Sequence, residues 1–349
     1  MERKKRIGVL TGGGDCPGLN AAIRAVTKSA IRRGFDVIGI QNGWKGLLDN
    51  ETIVLDRLNT SGIIDRGGTI LGTSRVSPLV IENGPQQVFN NFRELALEVL
   101  VVLGGEGTLS VTSKLFKMGL PVIGIPKTID NDVMGTNFTI GFQTAVQIAT
   151  DALDRLRSTA ESHHQVMFLQ VMGRHAGWIA TYAGMANGAD AILIPEIPLD
   201  AAKLDEFCQM LLTRNQRGAK FSIIVVAEGT VLEREIAGLP RSFTAGDEEM
   251  ARLGGIAAVL EEIVRSRTGL ETRVSSLGYI QRGGTPVAYD RSLATAFGLK
   301  ATELVEQRIY GVMTALKGNR ITTVPLEDVE DKIKTINLKI YRVAEYFFG

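Results

Sequence analysis

Val99-Leu100-Val101-Val102-Leu103-Gly104-Gly105-Glu106-Gly107-Thr108 is the stretch that decides the fold. Five successive apolar residues fit a strand covered on both faces, as in a parallel sheet. Glycines then let the backbone turn sharply. A helical pattern follows over Thr108–Met118. Ligands of open α/β sheets bind beyond the carboxyl ends of the strands. Strand, glycine turn and helix in that order therefore mark both a fold and a place to look for chemistry.

The same alternation extends in both directions. Short Val- and Ile-rich runs occur at Ile7–Thr11, Val37–Gln41, Val122–Ile125, Val166–Val171, Ala191–Ile194, Ser222–Ala227 and Val274–Ile280. Helical patterns lie between them at Asn20–Arg33, Thr144–Arg157, Gly177–Asn187, Lys203–Arg217 and Glu248–Arg267. This order predicts doubly wound, mostly parallel α/β sheets. The 349 residues suffice for two domains at about 150 residues each. Glu233–Asp247, with Gly238, Pro240 and Gly246, reads as a surface loop.

Composition excludes several classes. The net charge of +1 gives no electrostatic reason to expect nucleic acid. No apolar run approaches the roughly 18 residues of a membrane helix, and the basic start lacks the pattern of a signal peptide. Cys16 and Cys208 form neither a disulfide framework nor a zinc cluster, which points to a reducing cytoplasm. His163 and His164 are adjacent and His175 stands apart, so histidine ligation of a metal is not expected.

Three strand-end segments carry the chemistry. Thr11-Gly12-Gly13-Gly14-Asp15-Cys16-Pro17-Gly18 is either a tight turn or a phosphate cradle at a helix start. In Gly104-Gly105-Glu106-Gly107-Thr108 a carboxylate stands among glycines, which suggests magnesium bridging acid and phosphate. The plainer alternative makes Glu106 a helix-start acid favoured by the dipole. Pro126-Lys127-Thr128-Ile129-Asp130-Asn131-Asp132 packs two acids, an amide, a hydroxyl and a lysine into one turn. Asp130 and Asp132 can divide the base and metal roles of phosphoryl transfer, or the segment is a solvated Asx turn. Arg75, Arg174, Arg273 and Arg282 stand in or beside glycine-rich loops or strand ends, where a guanidinium fork suits phosphate oxygens.

Gly-Gly-Asp-Cys-Pro-Gly-Leu-Asn, Pro-Lys-Thr-Ile-Asp-Asn-Asp, Val-Met-Gly-Arg-His-Ala-Gly and Gln-Arg-Gly-Gly-Thr-Pro together resemble the ATP- and pyrophosphate-dependent 6-phosphofructokinase family, from about Ile7 to Arg291. The resemblance implies two Rossmann-like domains with the active site in the cleft between them. Residues 1–141 plus about 282–331 would bind the donor. Residues 142–281 plus about 332–349 would bind the sugar phosphate. Asp130 falls on the base that takes the proton of the sugar's 1-hydroxyl, beside Thr128. Glu106 and Asp132 fall on the magnesium acids. Gly14, Gly105, Gly107 and Thr108 line the donor phosphates, and Arg75 and Arg174 steady the transferred group. Met172, Gly173 and Glu228 face the sugar. Arg273 and Arg282 hold its distal phosphate, Arg273 from a neighbouring subunit, which implies a homotetramer or at least a homodimer.

Two positions bear on the donor. Gly107 resembles the ATP users, whereas an Asp there goes with pyrophosphate. Lys127 is typical of the pyrophosphate users, but the pairing of Gly107 with Lys127 resembles a subgroup that uses ATP, so the resemblance implies ATP with magnesium as the donor. Gln165 and Tyr279 replace the Arg and His that usually touch the 6-phosphate, so the acceptor can be fructose 6-phosphate or another sugar. A pyrophosphate-dependent enzyme and a catalytically silent nucleotide-binding subunit remain alternatives. A dinucleotide oxidoreductase is disfavoured, because no acid lies about 20 residues beyond a Gly-x-Gly-x-x-Gly loop. In allosteric bacterial members a nucleotide diphosphate or phosphoenolpyruvate pocket lies near the positions of Arg24, Lys28, Arg157 and Asp190. Salt-bridged helix surfaces are the plainer reading of those four.

Overall fold

The computed structural model describes residues 5–233 and 254–349. The expected loop after Glu233 and the first residues of the helix expected at Glu248–Arg267 lie outside them. The chain divides into two compact units.

The first unit comprises the residues up to Thr144 together with Arg282–Lys334. Its sheet contains β1 (Arg6–Thr11), β2 (Asp36–Ile40), β3 (Thr52–Leu55), β4 (Leu97–Gly104), β5 (Val122–Pro126), β10 (Val312–Lys317) and β11 (Arg320–Pro325). The spatial order is β11-β10-β5-β4-β1-β2-β3. The five central strands run parallel, and β3 and β11 are antiparallel edges. Val99–Leu103 is fully buried, as the unbroken apolar run requires. Helices α1 (Leu19–Arg32), α2 (Gly43–Asp49), α3 (Gly84–Glu94), α4 (Glu106–Lys117) and α9 (Ala288–Glu306) surround the sheet. Helices α1 and α9 pack together, and Ser29 Oγ meets Thr302 Oγ1 at 2.8 Å.

The second unit comprises Ala145–Gln281 and Thr335–Gly349. Its four strands are β6 (Val166–Val171), β7 (Ala191–Leu193), β8 (Ser222–Ala227) and β9 (Thr272–Ser276), all parallel in the order β7-β8-β6-β9. Its helices are α5 (Phe142–His163), which starts at the end of the first unit, α6 (Trp178–Asn187), α7 (Ala201–Gln216), α8 (Ile256–Thr268) and α10 (Leu338–Glu345). Phe168, Leu204, Leu211, Ile224, Val226 and Leu260 form part of one buried core.

One expected strand is shorter than its apolar run. The segment Val274–Ile280 leaves the sheet at Ser276 and winds into a 3₁₀ turn over Gly278–Arg282. Gly278 takes φ +47°, which no strand accepts.

Candidate active site

The site residues of the first unit gather at the carboxyl ends of β1, β4 and β5. The Gly12 N–H donates to Leu103 O at 2.9 Å, which ties the first glycine loop to β4. The Gly13 N–H donates to Ser74 O at 2.9 Å, and Thr73 Oγ1 donates to Gly13 O at 2.6 Å. Arg75, exposed, follows directly on this lacing and so stands beside the loop. The second loop is tighter still. A Cβ on Gly104 would sit 2.3 Å from Thr108 Cβ, so only glycine admits the first turn of α4 so close to the strand. At Gly107 a Cβ would meet nothing within 4 Å. Glu106 is the first residue of α4 and half-buried, in the helix-start position that favours an acid.

Lys127 joins the two glycine loops. Its N–H donates to Gly104 O at 2.9 Å, while its ammonium donates to Gly12 O at 2.9 Å and Gly14 O at 2.5 Å. Only 2% of the residue is exposed. Burial pulls its pKa below the usual lysine value, and nearby Cys16 and Asp15 oppose that pull. Opposite it, the Arg282 guanidinium lies about 3.2 Å from where a Cβ of Gly14 would be. Arg282 thus belongs to the first unit and stands over the glycine loop there.

The acid turn follows β5. The Asp130 N–H donates to Thr128 Oγ1 at 3.1 Å, and Thr128 Oγ1 lies 3.4 Å from Asp130 Oδ2. Between the two acids, Asn131 is fully buried with φ +52°. Its Oδ1 accepts from Thr139 N at 3.1 Å and from Lys334 Nζ at 3.0 Å, and its Nδ2 donates to Asn137 O at 3.2 Å. Asp132 is 5% exposed, and its carbonyl accepts from Lys334 N at 2.8 Å. Burial pulls the Lys334 pKa down to about 7, with the Asp132 charge opposing it. Among the described residues no three His, Cys, Asp or Glu side chains cluster as a ready metal cage. Two carboxylates on neighbouring loops suit a hard cation that takes its remaining ligands from donor phosphates and water.

In the second unit the loop after β6 holds Met172, Gly173 and Arg174. The Met172 N–H donates to Gln281 Oε1 at 2.7 Å, and the Arg174 N–H donates to Glu228 Oε1 at 3.1 Å. Gly173 has φ +147°, and a Cβ there would lie 2.5 Å from Ala176 O. Gln281 is fully buried and its Nε2 has no hydrogen-bond partner among the described residues. Tyr279, 74% exposed, lies in the 3₁₀ turn beyond the carboxyl end of β9.

Gln165 and Arg273 are not brought to that edge. Gln165 immediately precedes β6, and Arg273 lies opposite Met167 near the amino ends of β6 and β9. Six residues of strand, about 20 Å, separate that edge from Met172. Arg273 there donates to Thr272 O at 2.7 Å and pairs with Glu271 at 3.4 Å.

Two of the residues near the family's effector positions have structural bonds. Arg157 donates to Asn187 O at 2.6 Å and Gly188 O at 3.3 Å, closing the end of α6. Asp190 pairs with Arg214 at 2.7 Å and accepts from Ile223 N at 2.8 Å.

The sequence alone assigns Asn131, Lys334 and Gln281 no role. Asn131 was visible between two acids. Lys334 was not, because its partners lie about 200 residues away, 203 in the case of Asn131.

A parallel sheet with glycine loops and an acid turn at its carboxyl edge defines, as a class, an α/β phosphotransferase acting on an alcohol. A family model described as phosphofructokinase matches residues 6–305. The chain belongs to the phosphofructokinase family. It is 48% identical to the ATP-dependent 6-phosphofructokinase of Spirochaeta thermophila, over 95% of this chain and 93% of that protein. It is also 44% identical to the pyrophosphate–fructose 6-phosphate 1-phosphotransferase of Streptomyces coelicolor, over 99% of this chain and all of that one. Among solved structures, Pichia pastoris phosphofructokinase in the T-state superposes with a TM-score of 0.84 at 32% identity, covering 94% of this chain and 36% of that one.

Proposed function

We propose that the chain transfers the γ-phosphoryl group of ATP to the 1-hydroxyl of fructose 6-phosphate, with magnesium, giving fructose 1,6-bisphosphate. The observation that carries this reading is the Asp130 turn, set between Thr128 and a rigid Asn131 beside two glycine loops. In that role the Asp130 carboxylate takes the hydroxyl proton as the oxygen attacks phosphorus. Gly14, Gly105, Gly107 and Thr108 offer backbone and hydroxyl donors to the phosphates. Arg75 and Arg174 offset the negative charge that spreads over the transferred group. Glu106 and Asp132 would hold magnesium, which neutralises donor charge when bound. Met172, Gly173, Glu228 and Tyr279 belong to the acceptor side. Arg282, over Gly14, is a cation on the donor loop as well as a candidate for the sugar phosphate.

The open space at Gly107 supports ATP, because nothing there obstructs a bulky donor. Lys127 supports the second reading, pyrophosphate, which the name of the Streptomyces relative also bears. Its ammonium, however, is engaged by the carbonyls of Gly12 and Gly14, an anchoring task that either donor permits.

Gln165 and Arg273 lie on the sheet edge remote from Met172, so for them to reach a bound sugar a second copy must present them. This supports a homo-oligomer of two or four chains with shared acceptor sites. Two buried free cysteines, Cys16 and Cys208, fit a reducing cytoplasm.

The test is a panel of sugars and sugar phosphates assayed with ATP or pyrophosphate as sole donor, with magnesium. Turnover of fructose 6-phosphate with ATP is expected. Turnover with pyrophosphate alone overturns the donor assignment, and preference for another sugar overturns the acceptor.

A further inference from the structure

We propose that Lys334 is a positioning residue for phosphoryl transfer, holding the Asp130–Asp132 turn in register with the helix that begins at Glu106. This rests on the reading of that turn given above. Lys334 lies far from every glycine loop in sequence, yet its ammonium donates to Asn131 Oδ1 at 3.0 Å, Thr136 O at 2.9 Å and Asn137 O at 3.1 Å. Three acceptors match the three protons of an ammonium group. Its backbone N–H adds a bond to Asp132 O at 2.8 Å, and Ile333 beside it bridges Val133. The turn is therefore gripped at Asn131, a residue with left-handed backbone, and along the stretch that follows it as far as Asn137.

The other end of the segment is fixed to α4. Ser110 Oγ donates to Asp331 Oδ1 and Ser113 Oγ to Glu330 Oε2, each at 2.5 Å. Lys114 pairs with Asp331 at 2.8 Å and Lys117 with Glu330 at 2.7 Å. Surface ion pairs alone contribute little, but here two hydroxyls converge on the same carboxylates. Residues 330–334 thus form a brace. One end holds the helix that carries Glu106, and the other holds the turn that carries Asp130 and Asp132. The brace fixes the spacing between the base and the metal acids, which alignment of the reactants requires.

The experiment compares Lys334→Met, Lys334→Arg and Asp130→Ala as full chains. Lys334→Met is expected to lower kcat about 10- to 100-fold, with the KM for fructose 6-phosphate and the calorimetric affinity for ATP within about threefold. Lys334→Arg, which keeps the charge and several donors, should recover part of kcat. Hydrogen exchange should quicken at the amides of residues 128–139 in Lys334→Met, with the rest of the first unit protected as before. Unchanged kcat and unchanged exchange overturn the proposal. So does a uniform loss of kcat, affinity and protection that arginine does not relieve, since that marks a general fold defect. If Lys334→Met does not fold, Lys334→Gln takes its place with the same criteria. Full turnover in Asp130→Ala overturns the base assignment instead, and the exchange result then still decides whether the brace holds the turn.

Discussion

The Lys127 ammonium lies 2.9 Å from the carbonyl oxygen of Gly12, a residue 115 positions earlier in the chain. With the matching bond to Gly14, one buried cation fixes both ends of the first glycine loop. Lys127→Met removes the donors and leaves two carbonyls facing an apolar stem. Stability should fall by about 1–3 kcal/mol, the cost of unsatisfied buried polar groups. The KM for the donor should rise about tenfold, by analogy with other supporting contacts around a site. Thermal unfolding and donor titration kinetics check both.

Gly104 and Gly107 stand three residues apart and should respond oppositely to a methyl group. Gly104→Ala drives a Cβ to within 2.3 Å of Thr108. It should cost about 1–3 kcal/mol and most of the activity. Gly107→Ala enters open space and should change stability by no more than about 0.5 kcal/mol. Paired melting curves and turnover numbers decide.

Much of this is legible in the sequence alone. The parallel strands announced themselves because strands buried on both faces cannot alternate polar with apolar. The glycine loops followed because each interrupts such a run. What escaped notice depends on distance. Helix α9 is covered by α1 and the sheet, so it has no clean polar face for a periodicity to reveal. Strand β11, Arg320–Pro325, is an antiparallel edge that is mostly half-exposed, with little apolar content. Lys334 reads as one more surface lysine until the fold brings Asn131 to it. The place of Gln165 was within reach. It precedes its strand, whereas Gly173 follows it, and residues on opposite sides of a strand cannot share a pocket in one copy.

Asp290 gives a pH signature. Its carboxylate accepts from Gly141 N at 3.0 Å, Thr144 N at 2.8 Å and Thr144 Oγ1 at 2.6 Å, capping the start of α5. Burial nonetheless raises its pKa above the ordinary 3.8, with these donors opposing the rise. Between pH 3.8 and the raised value, the folded protein keeps a proton that the unfolded chain has released. The stability of wild type relative to Asp290→Asn should therefore fall as pH rises through that window, by at most about 1.4 kcal/mol per pH unit, and be flat on either side. Denaturant midpoints of the two proteins from pH 3 to 7 provide the comparison, and a difference that grows with pH contradicts it.

The proposal that acceptor sites are shared between copies makes subunit mixing informative. Asp130→Ala should lose at least about 10²–10⁴-fold in turnover while still binding donor. Arg273→Ala should weaken the sugar phosphate without touching the base. Neither chain alone is then competent. Unfolding and refolding them together should restore activity in about a quarter of sites, those that pair an intact Asp130 with an intact Arg273 from the neighbour. No recovery in verified hybrids places both residues in one copy.

Apart from Thr335–Gly349, the second unit is an insertion. Residues 145–281 interrupt a sheet whose β5 ends at Pro126 and whose next neighbour, β10, starts only at Val312. During synthesis the inserted strands can pair among themselves as soon as they emerge, while β5 waits on the ribosome with one side unclaimed. The inserted strands are thus free to pair early and the first unit's sheet closes later, while the second unit gains its last helix, α10, only after Lys334. Any step that slows translation beyond Gln281 prolongs the life of an exposed, strongly apolar strand margin, which is where chaperone capture or misassembly would begin.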